Sequence, residues 1–146
     1  MADTIFQAKA ELTNGLTTRC DARNFTIILD EPPDLGGNDK GMNPVECLLS
    51  ALGACKCIVA RAFATKNDIK LNTIRIELDG ILDPNGFLGK DKNAKIGFSK
   101  ITTKYFIDAD NTKEEVEKYV KFIEINCPVK DTIANTPAFS TELTLV

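Results

Sequence analysis

The sequence predicts an α+β fold, because strand patterns and helix patterns come in blocks along the chain instead of alternating regularly. Strand-like segments come first, a long apolar helix follows, and two strands, an amphipathic helix and a closing strand complete the chain. The 146 residues are 43% hydrophobic and 27% charged, which is typical of one folded domain. We therefore expect a single domain over residues 1–146.

The first block is predicted to contain three strands. Two strand-like runs, TIFQAKAEL from Thr4 and LTTRCDA from Leu16, flank Asn14-Gly15, a dipeptide that accepts the positive φ of a tight hairpin. A third strand, FTIILD, begins at Phe25. The Pro- and Gly-rich segment EPPDLGGNDKGM is then expected to be a loop. It lacks the Gly-Lys-Ser/Thr ending of a P-loop and the Rossmann spacing, so a nucleotide site is not expected there.

The strongest predicted element is a long helix that begins after Asn43. Asn43 can cap the helix, Pro44 suits its first position, and Glu46 completes a capping box. The apolar run that follows predicts a helix from Pro44 to Lys66. At about 100° per residue, one stripe of this helix carries Leu48, Leu52, Cys55, Val59, Ala62 and Phe63. We expect a central and nearly buried helix.

The second half of the chain predicts a hairpin followed by helices. KLNTIRIELDGIL and KIGFSKITTKYFID both read as strands, and the turn residues Asp83-Pro84-Asn85-Gly86 separate them. Thr112 and Glu115 form a second capping box, which starts a helix that ends near Asn126. Cys127-Pro128 then begins a short turn or helix, and FSTELTLV closes the chain as a strand.

The composition excludes several classes of function. The chain has no histidine, which removes Ser-His-Asp, Cys-His and HExxH chemistry. The net charge is −3 and no Lys/Arg cluster is dense, so neither nucleic acid nor an anionic membrane is expected as a partner. No stretch is long and apolar enough to span a membrane. The N-terminus does not resemble a signal peptide, so we expect a reducing cytoplasmic location.

Cysteine is the remaining residue type that could carry chemistry, with Cys55 and Cys127 in the two notable settings. A thiol on an apolar helical face is expected to have a raised pKa, whereas a thiol at a helix N-terminus is favoured as thiolate. This local argument makes Cys127 the more reactive residue. Cys47 and Cys57 cannot reach Cys55 within an intact helix, and Cys20 is expected to pack in a strand. The absence of any Cys-x-x-Cys pair argues against zinc.

The motifs themselves resemble a known family. The stretch DLGGNDKGMNPVECLLSALGAC, followed about seventy residues later by NCPVKDTIANT and a final strand, resembles the OsmC/Ohr family of osmotically induced and organic-hydroperoxide-resistance proteins, in a branch with a PxELLLxALGxC-type motif. The likeness runs from about Phe25 to the C-terminus. It implies an OsmC-like fold, with antiparallel sheets wrapped around a long central helix in an intertwined homodimer, and active sites at the interface.

The resemblance also implies a reaction, the thiol-dependent reduction of organic hydroperoxides and, more weakly, of hydrogen peroxide. Cys55 would attack the peroxide and become a sulfenic acid, and Cys127 would resolve it as a disulfide. A dithiol reductant, for which a dihydrolipoyl group is one candidate, would reset the pair. No metal or organic cofactor is required for this chemistry.

Two further site residues follow from the same resemblance. An arginine of the N-terminal strands and a glutamate near the start of the long helix would hold the thiolate and donate to the departing oxygen. Arg19 is the best match for the arginine, with Arg23 as the second candidate, and Glu46 is the match for the glutamate. Better-known branches have the glutamate ten residues before the cysteine, where this chain has Val45.

Two other functions stay open at the level of sequence. The first is a non-catalytic OsmC-like domain that binds a small hydrophobic or sulfur-containing ligand, which the shifted glutamate favours. The second is a structural or interaction protein whose cysteines are buried for packing. The retention of both Cys55 and Cys127 in family-like settings favours the peroxidase over either alternative.

Overall fold

The N-terminal part of the chain forms a three-stranded antiparallel sheet in a computed structural model that describes residues 3–146. Strands β1 (Lys9–Asn14), β2 (Thr17–Ala22) and β3 (Phe25–Leu29) pair in that order. Gly15 has a φ of +56° between β1 and β2, which confirms the predicted hairpin. The prediction that the first strand begins at Thr4 is wrong. Lys9 already pairs with Asp21 near the end of β2, so residues 3–8 have no partner strand.

A loop follows β3, as predicted, and a buried carboxylate organises it. Asp30 is 2% exposed and accepts a hydrogen bond from the Thr17 hydroxyl at 2.7 Å. It also accepts from the backbone N–H groups of Glu31, Asn38 and Lys40 at 2.8, 3.3 and 3.3 Å. The Thr17 hydrogen bond, helped by these three, lowers the pKa of Asp30 although its burial acts in the opposite direction. The carboxylate therefore fixes the course of the loop.

Helix α1 spans Pro44–Phe63 and begins with the predicted capping box. The Asn43 N–H donates to Glu46 Oε2 at 2.8 Å, and the Glu46 N–H donates to Asn43 Oδ1 at 2.9 Å. The helix ends before the predicted Lys66, because Thr65–Asn67 tightens into a 3₁₀ turn.

The prediction that α1 is nearly buried is wrong for the single chain. Its buried residues are Leu52, Gly53, Lys56, Val59 and Ala60. Ile58 is 68% exposed, and Leu48 and Phe63 of the predicted stripe are exposed as well. The elements of this chain therefore cover one side of the helix and leave apolar side chains open on the other.

A long hairpin follows the helix, as predicted. Strands β4 (Leu71–Ile81) and β5 (Lys100–Ala109) are antiparallel, and Ile76 lies opposite Tyr105. Their connection includes the short helix α2 (Pro84–Phe87), whose N-terminus the Asp83 side chain caps. β5 begins later than the predicted start of the KIGFSKITTKYFID run.

Two helices complete the ordered elements. Helix α3 (Lys113–Asn126) starts with the predicted Thr112–Glu115 capping box, and α4 (Pro128–Ala134) follows directly. Residues of α1, α3 and the start of the hairpin share one core, which consists of Val59, Ala60, Ala64, Ile69, Leu71, Tyr119 and Ile123. No helix in residues 3–146 has both the length and the apolar character needed to cross a membrane.

The predicted closing strand is wrong for the single chain. Residues 136–146 form no strand, and Phe139, Leu143 and Leu145 are 84%, 82% and 88% exposed. A strand needs a hydrogen-bonded neighbour, and neither described sheet supplies one to this segment. The chain divides into two compact units, of which the first reaches Leu49 and the second is Ser50–Val146. That these units act as one domain stays a prediction.

Candidate active site

The structure brings Cys55 and Cys127 together in the second unit. Cys55 lies in the middle of α1, and Cys127 is the residue between α3 and α4. The Cys55 side chain lies near enough to the Cys127 thiol to raise its pKa, and all five cysteines are free. Two thiols about seventy residues apart in sequence are therefore neighbours in the fold.

Cys127 occupies a helix N-terminus, but burial controls its ionisation. The side chain is 1% exposed and accepts the Lys130 N–H at 3.4 Å. Desolvation raises the pKa of Cys127, the neighbouring Cys55 raises it further, and the N–H groups of Lys130 and Val129 lower it less strongly. The helix N-terminus was expected to favour the Cys127 thiolate, but the cost of burying a charge exceeds this gain.

Cys55 sits at the edge of the hydrocarbon core. Its side chain is half-buried and packs against the core cluster that includes Val59 and Ile123. The surroundings of this sulfur are therefore apolar on one side, while the Cys127 thiol supplies a polar neighbour.

A buried polar network, which the sequence reasoning missed, lies beside the cysteines. Lys56 is 2% exposed, and its Nζ donates to Thr103 Oγ1 and Glu124 Oε1, both at 2.7 Å. The Tyr105 hydroxyl donates to the same Oε1 at 2.6 Å. The Lys130 Nζ lies 3.2 Å from Glu124 Oε2. One carboxylate thus receives two ammonium groups and a phenol.

The network holds its members in defined ionisation states. Burial opposes the charge on Glu124, but the hydrogen bonds from Lys56 and Tyr105 lower its pKa overall. Burial and the hydrogen bond to Glu124 raise the pKa of Tyr105, so this phenol stays a donor. A signal was present in the sequence, since Lys56 is the only charged residue between Glu46 and Arg61 in an apolar helix.

Arg19 and Glu46 lie in the first unit, where both have partners of their own. Arg19 is on β2, its side chain is 53% exposed, and its Nε lies 3.0 Å from Asp21 Oδ1. Glu46 is the reciprocal half of the α1 capping box. Arg23, the second candidate, has a φ of +54° in the turn after β2. Their assigned roles stay predictions.

The other three cysteines lie elsewhere on β2 and α1. Cys20, Cys47 and Cys57 are half-buried free thiols, and desolvation raises the pKa of Cys57. Within residues 3–146, no group of three or more His, Cys, Asp or Glu side chains is arranged to hold a metal ion.

Comparison with known proteins gives the family. The OsmC-like protein family matches residues 37–142. A hydroperoxide reductase of Mycoplasma genitalium is 26% identical over 143 residues, which are 98% of this chain and 96% of that protein. A hydroperoxide reductase of Mycoplasma pneumoniae is 27% identical over 109 residues, covering 75% and 72%.

Solved structures agree with this assignment. The crystal structure of an OsmC-like protein from Mycoplasma pneumoniae superposes with a TM-score of 0.80 at 24% identity and covers 92% of this chain and 91% of that chain. This similarity confirms the predicted α+β, OsmC-like fold. Because the family match extends over most of the sequence, the chain belongs to the OsmC-like protein family.

Proposed function

We propose that this protein is a thiol-dependent peroxidase that reduces organic hydroperoxides, and hydrogen peroxide more weakly, in defence against oxidative stress. The observation that carries the proposal is the proximity of the Cys55 and Cys127 side chains, through which Cys55 raises the pKa of the Cys127 thiol. The hydroperoxide reductases to which the chain is similar support the same class of substrate.

Each step of the proposed reaction balances without a cofactor. The Cys55 thiolate attacks one peroxide oxygen, the O–O bond breaks, and the alkoxide leaves as an alcohol after it takes a proton. The Cys127 sulfur then attacks the sulfenic sulfur of Cys55, and the sulfenic oxygen leaves as water. A dithiol reductant finally exchanges with the disulfide and regenerates both thiols while it is itself oxidised.

The surroundings of Cys55 favour an alkyl peroxide. Its side chain packs against the apolar core, and an alkyl group bound there gains free energy from the removal of apolar surface from water. Hydrogen peroxide has no such group, so its binding gains nothing from hydrocarbon. We therefore propose that the physiological substrate carries an apolar substituent.

The proposal includes Arg19 and Glu46 in the roles that the family resemblance assigns to them. Arg19 would stabilise the Cys55 thiolate, since a nearby guanidinium favours the charged form of a thiol. Glu46 would act with Arg19 in holding the thiolate and in donating to the departing oxygen.

A homodimer in the cytoplasm also belongs to the proposal. Apolar side chains are exposed on α1 and in the C-terminal segment, including Ile58, Phe139 and Leu143. Large exposed apolar surfaces are typical of interfaces between subunits, so a second copy of this chain is the occupant that we propose.

The direct test is the reaction with cumene hydroperoxide, followed by peroxide consumption and by intact mass. Wild-type protein is expected to consume one equivalent and to lose two of its five free thiols. Cys55→Ser is expected to abolish consumption, because it removes the attacking sulfur. Cys127→Ser is expected to react once and stop at a sulfenic acid that dimedone traps. Cys47→Ser is the matched control on the same helix.

The same assay also tests whether Arg19 acts at the site. Arg19→Met is expected to slow consumption by about tenfold or more, whereas Arg23→Met stays near wild type. Survival of all five thiols, or unchanged turnover by Cys55→Ser, would contradict the peroxidase.

A non-catalytic ligand-binding domain is the second candidate. The observation that favours it is the engagement of Glu46 in the helix cap, which already gives this carboxylate a structural role. This candidate predicts that small apolar or sulfur-containing molecules raise the unfolding temperature while peroxide is not consumed.

A further inference from the structure

One carboxylate joins the two segments of the chain that carry the paired cysteines. Lys56 follows Cys55 on α1, and its ammonium group lies 2.7 Å from Glu124 Oε1. Lys130 donates its backbone N–H to Cys127 Sγ at 3.4 Å, and its ammonium group lies 3.2 Å from Glu124 Oε2. Glu124 therefore links α1 to the start of α4 through the immediate neighbours of both thiols.

Strand β5 also holds this network of Lys56, Glu124 and Lys130 in place. Thr103 and Tyr105 belong to β5 and, two residues apart, lie on the same face of the strand. Thr103 accepts from Lys56, and Tyr105 donates to Glu124 Oε1. No buried side-chain nitrogen or oxygen in residues 3–146 lacks a partner. A network that is satisfied in this way has one well-defined arrangement.

Stability by itself does not explain why a charge is buried here. Taking a lysine and a glutamate out of water costs several kcal/mol per ion, and well-packed apolar residues often stabilise a protein equally well. In some proteins a buried ionic group selects one geometry among several, and the ion pairs here lie between the two cysteine segments.

We propose that Glu124 is a positioning residue that holds Cys55 and Cys127 within reach of each other for the disulfide step, acting through Lys56 and Lys130. This inference rests on the proposed function and extends it to the resolution step. In that step the Cys127 sulfur attacks the sulfenic sulfur of Cys55, a sulfur–sulfur bond forms, the sulfur–oxygen bond breaks, and the oxygen leaves as water. A displacement of about 1 Å between reacting groups can cost about a hundredfold in rate.

The test separates the two half-reactions in the folded, full-length protein. Formation of the sulfenic acid by cumene hydroperoxide is timed by dimedone trapping, and formation of the disulfide by the loss of water in the intact mass. Glu124→Gln is expected to slow disulfide formation by about tenfold or more and to leave the attack on peroxide within about twofold of wild type. Sulfenic acid then accumulates.

The matched control is Glu114→Gln on the same helix. Glu114 forms an exposed ion pair with Lys118 at 2.9 Å, and such pairs contribute little to stability. The rate of disulfide formation in Glu114→Gln is expected to equal that of wild-type protein.

A second pair of variants avoids the risk that Glu124→Gln fails to fold. Lys130 is on the surface side of the network, with its side chain 41% exposed, so its substitution leaves no buried charge without a partner. Lys130→Met is expected to slow the disulfide step, and Lys130→Arg, which keeps the cation, is expected to restore it. A residue that serves only the stability of the fold would change the unfolding temperature without this rescue.

A measurement without peroxide distinguishes this inference from the peroxidase proposal. The equilibrium of the Cys55–Cys127 disulfide against reduced and oxidised dithiothreitol reports how well the fold holds the thiols together. Lys130→Met and Glu124→Gln are expected to weaken the disulfide by about tenfold. If they do so while wild-type protein consumes no peroxide, the peroxidase is wrong and the positioning role stands. Wild-type behaviour of both variants in both assays would overturn the positioning role, as would the absence of any Cys55–Cys127 disulfide.

Discussion

The ionisation of Cys127 shows how burial changes a local rule. A thiol at a helix N-terminus is ordinarily stabilised as thiolate by the free N–H groups, and Cys127 does accept one from Lys130. Its pKa is nonetheless raised, first by desolvation and then by the neighbouring Cys55. The raised pKa favours the protonated thiol of Cys127 at neutral pH, which is compatible with the proposed role of a resolving cysteine.

The raised pKa of Cys127 predicts how the rate of disulfide formation depends on pH. The attacking species is the thiolate, and a raised pKa keeps its fraction small in the neutral range, so the rate is expected to increase with pH. The increase is about tenfold per pH unit while the pH stays below the pKa of Cys127. Oxidation changes the Cys55 neighbour, but desolvation, the largest cause of the raised pKa of Cys127, persists.

The measurement is the rate of disulfide formation from pre-formed sulfenic acid, between about pH 6 and about pH 9. Cys127→Ser provides the baseline, because it forms no disulfide with Cys55. A rate that is flat across this range would mean that a neighbouring group ionises Cys127 during the reaction.

At the scale of elements, the two capping boxes are the features that the sequence predicted most completely. Asn43 with Glu46, and Thr112 with Glu115, each exchange the expected pair of hydrogen bonds. Each motif involves residues only three positions apart, so local chemistry decides it. The β4–β5 hairpin was predicted for a similar reason, since turn residues separate two alternating runs.

The cap of α3 predicts a measurable contribution to stability. Thr112→Ala removes the side-chain acceptor for the Glu115 N–H and is expected to lower the free energy of unfolding by about 1 kcal/mol. Lys113→Ala is the matched control, because it keeps the cap and loses only an exposed pair with Glu117 at 3.7 Å. Urea unfolding followed by circular dichroism gives both values. Equal values for the two variants would contradict this role of the cap.

At the scale of the whole molecule, the apolar surface is the unexplained feature of the single chain. Phe139, Leu143 and Leu145 alternate along the C-terminal segment and are exposed. A period of two is typical of a strand with one buried face, yet this segment has no partner strand in residues 3–146. The pattern fits the proposed homodimer, in which a second copy of the chain would cover this segment.

If the protein is the proposed homodimer, the C-terminal segment is expected to contribute to its assembly. Replacing Phe139 and Leu143 by Ser is expected to shift the protein from dimer to monomer, because it removes apolar area from the interface. The control replaces Ser140 and Thr144, on the other face of the same segment, by Ala. Size-exclusion chromatography with light scattering measures the mass. A monomeric wild type, or a dimer unaffected by the Ser substitutions, would contradict the prediction.

The sequence alone was informative where neighbouring residues decide the structure. It predicted the α+β order, the two capping boxes and the Asn14-Gly15 hairpin, because these depend on motifs within a few residues. The closing strand and the buried helix were predicted wrongly for the single chain, because pairing and burial require partners that local patterns do not specify.

Only the tertiary structure decided how the candidate site is built. It placed Lys56, Tyr105 and Lys130 on one Glu124 carboxylate, and it buried Cys127 beside Cys55. The physical reason is that desolvation and charge pairing depend on groups that are distant in sequence and become neighbours only when the chain folds.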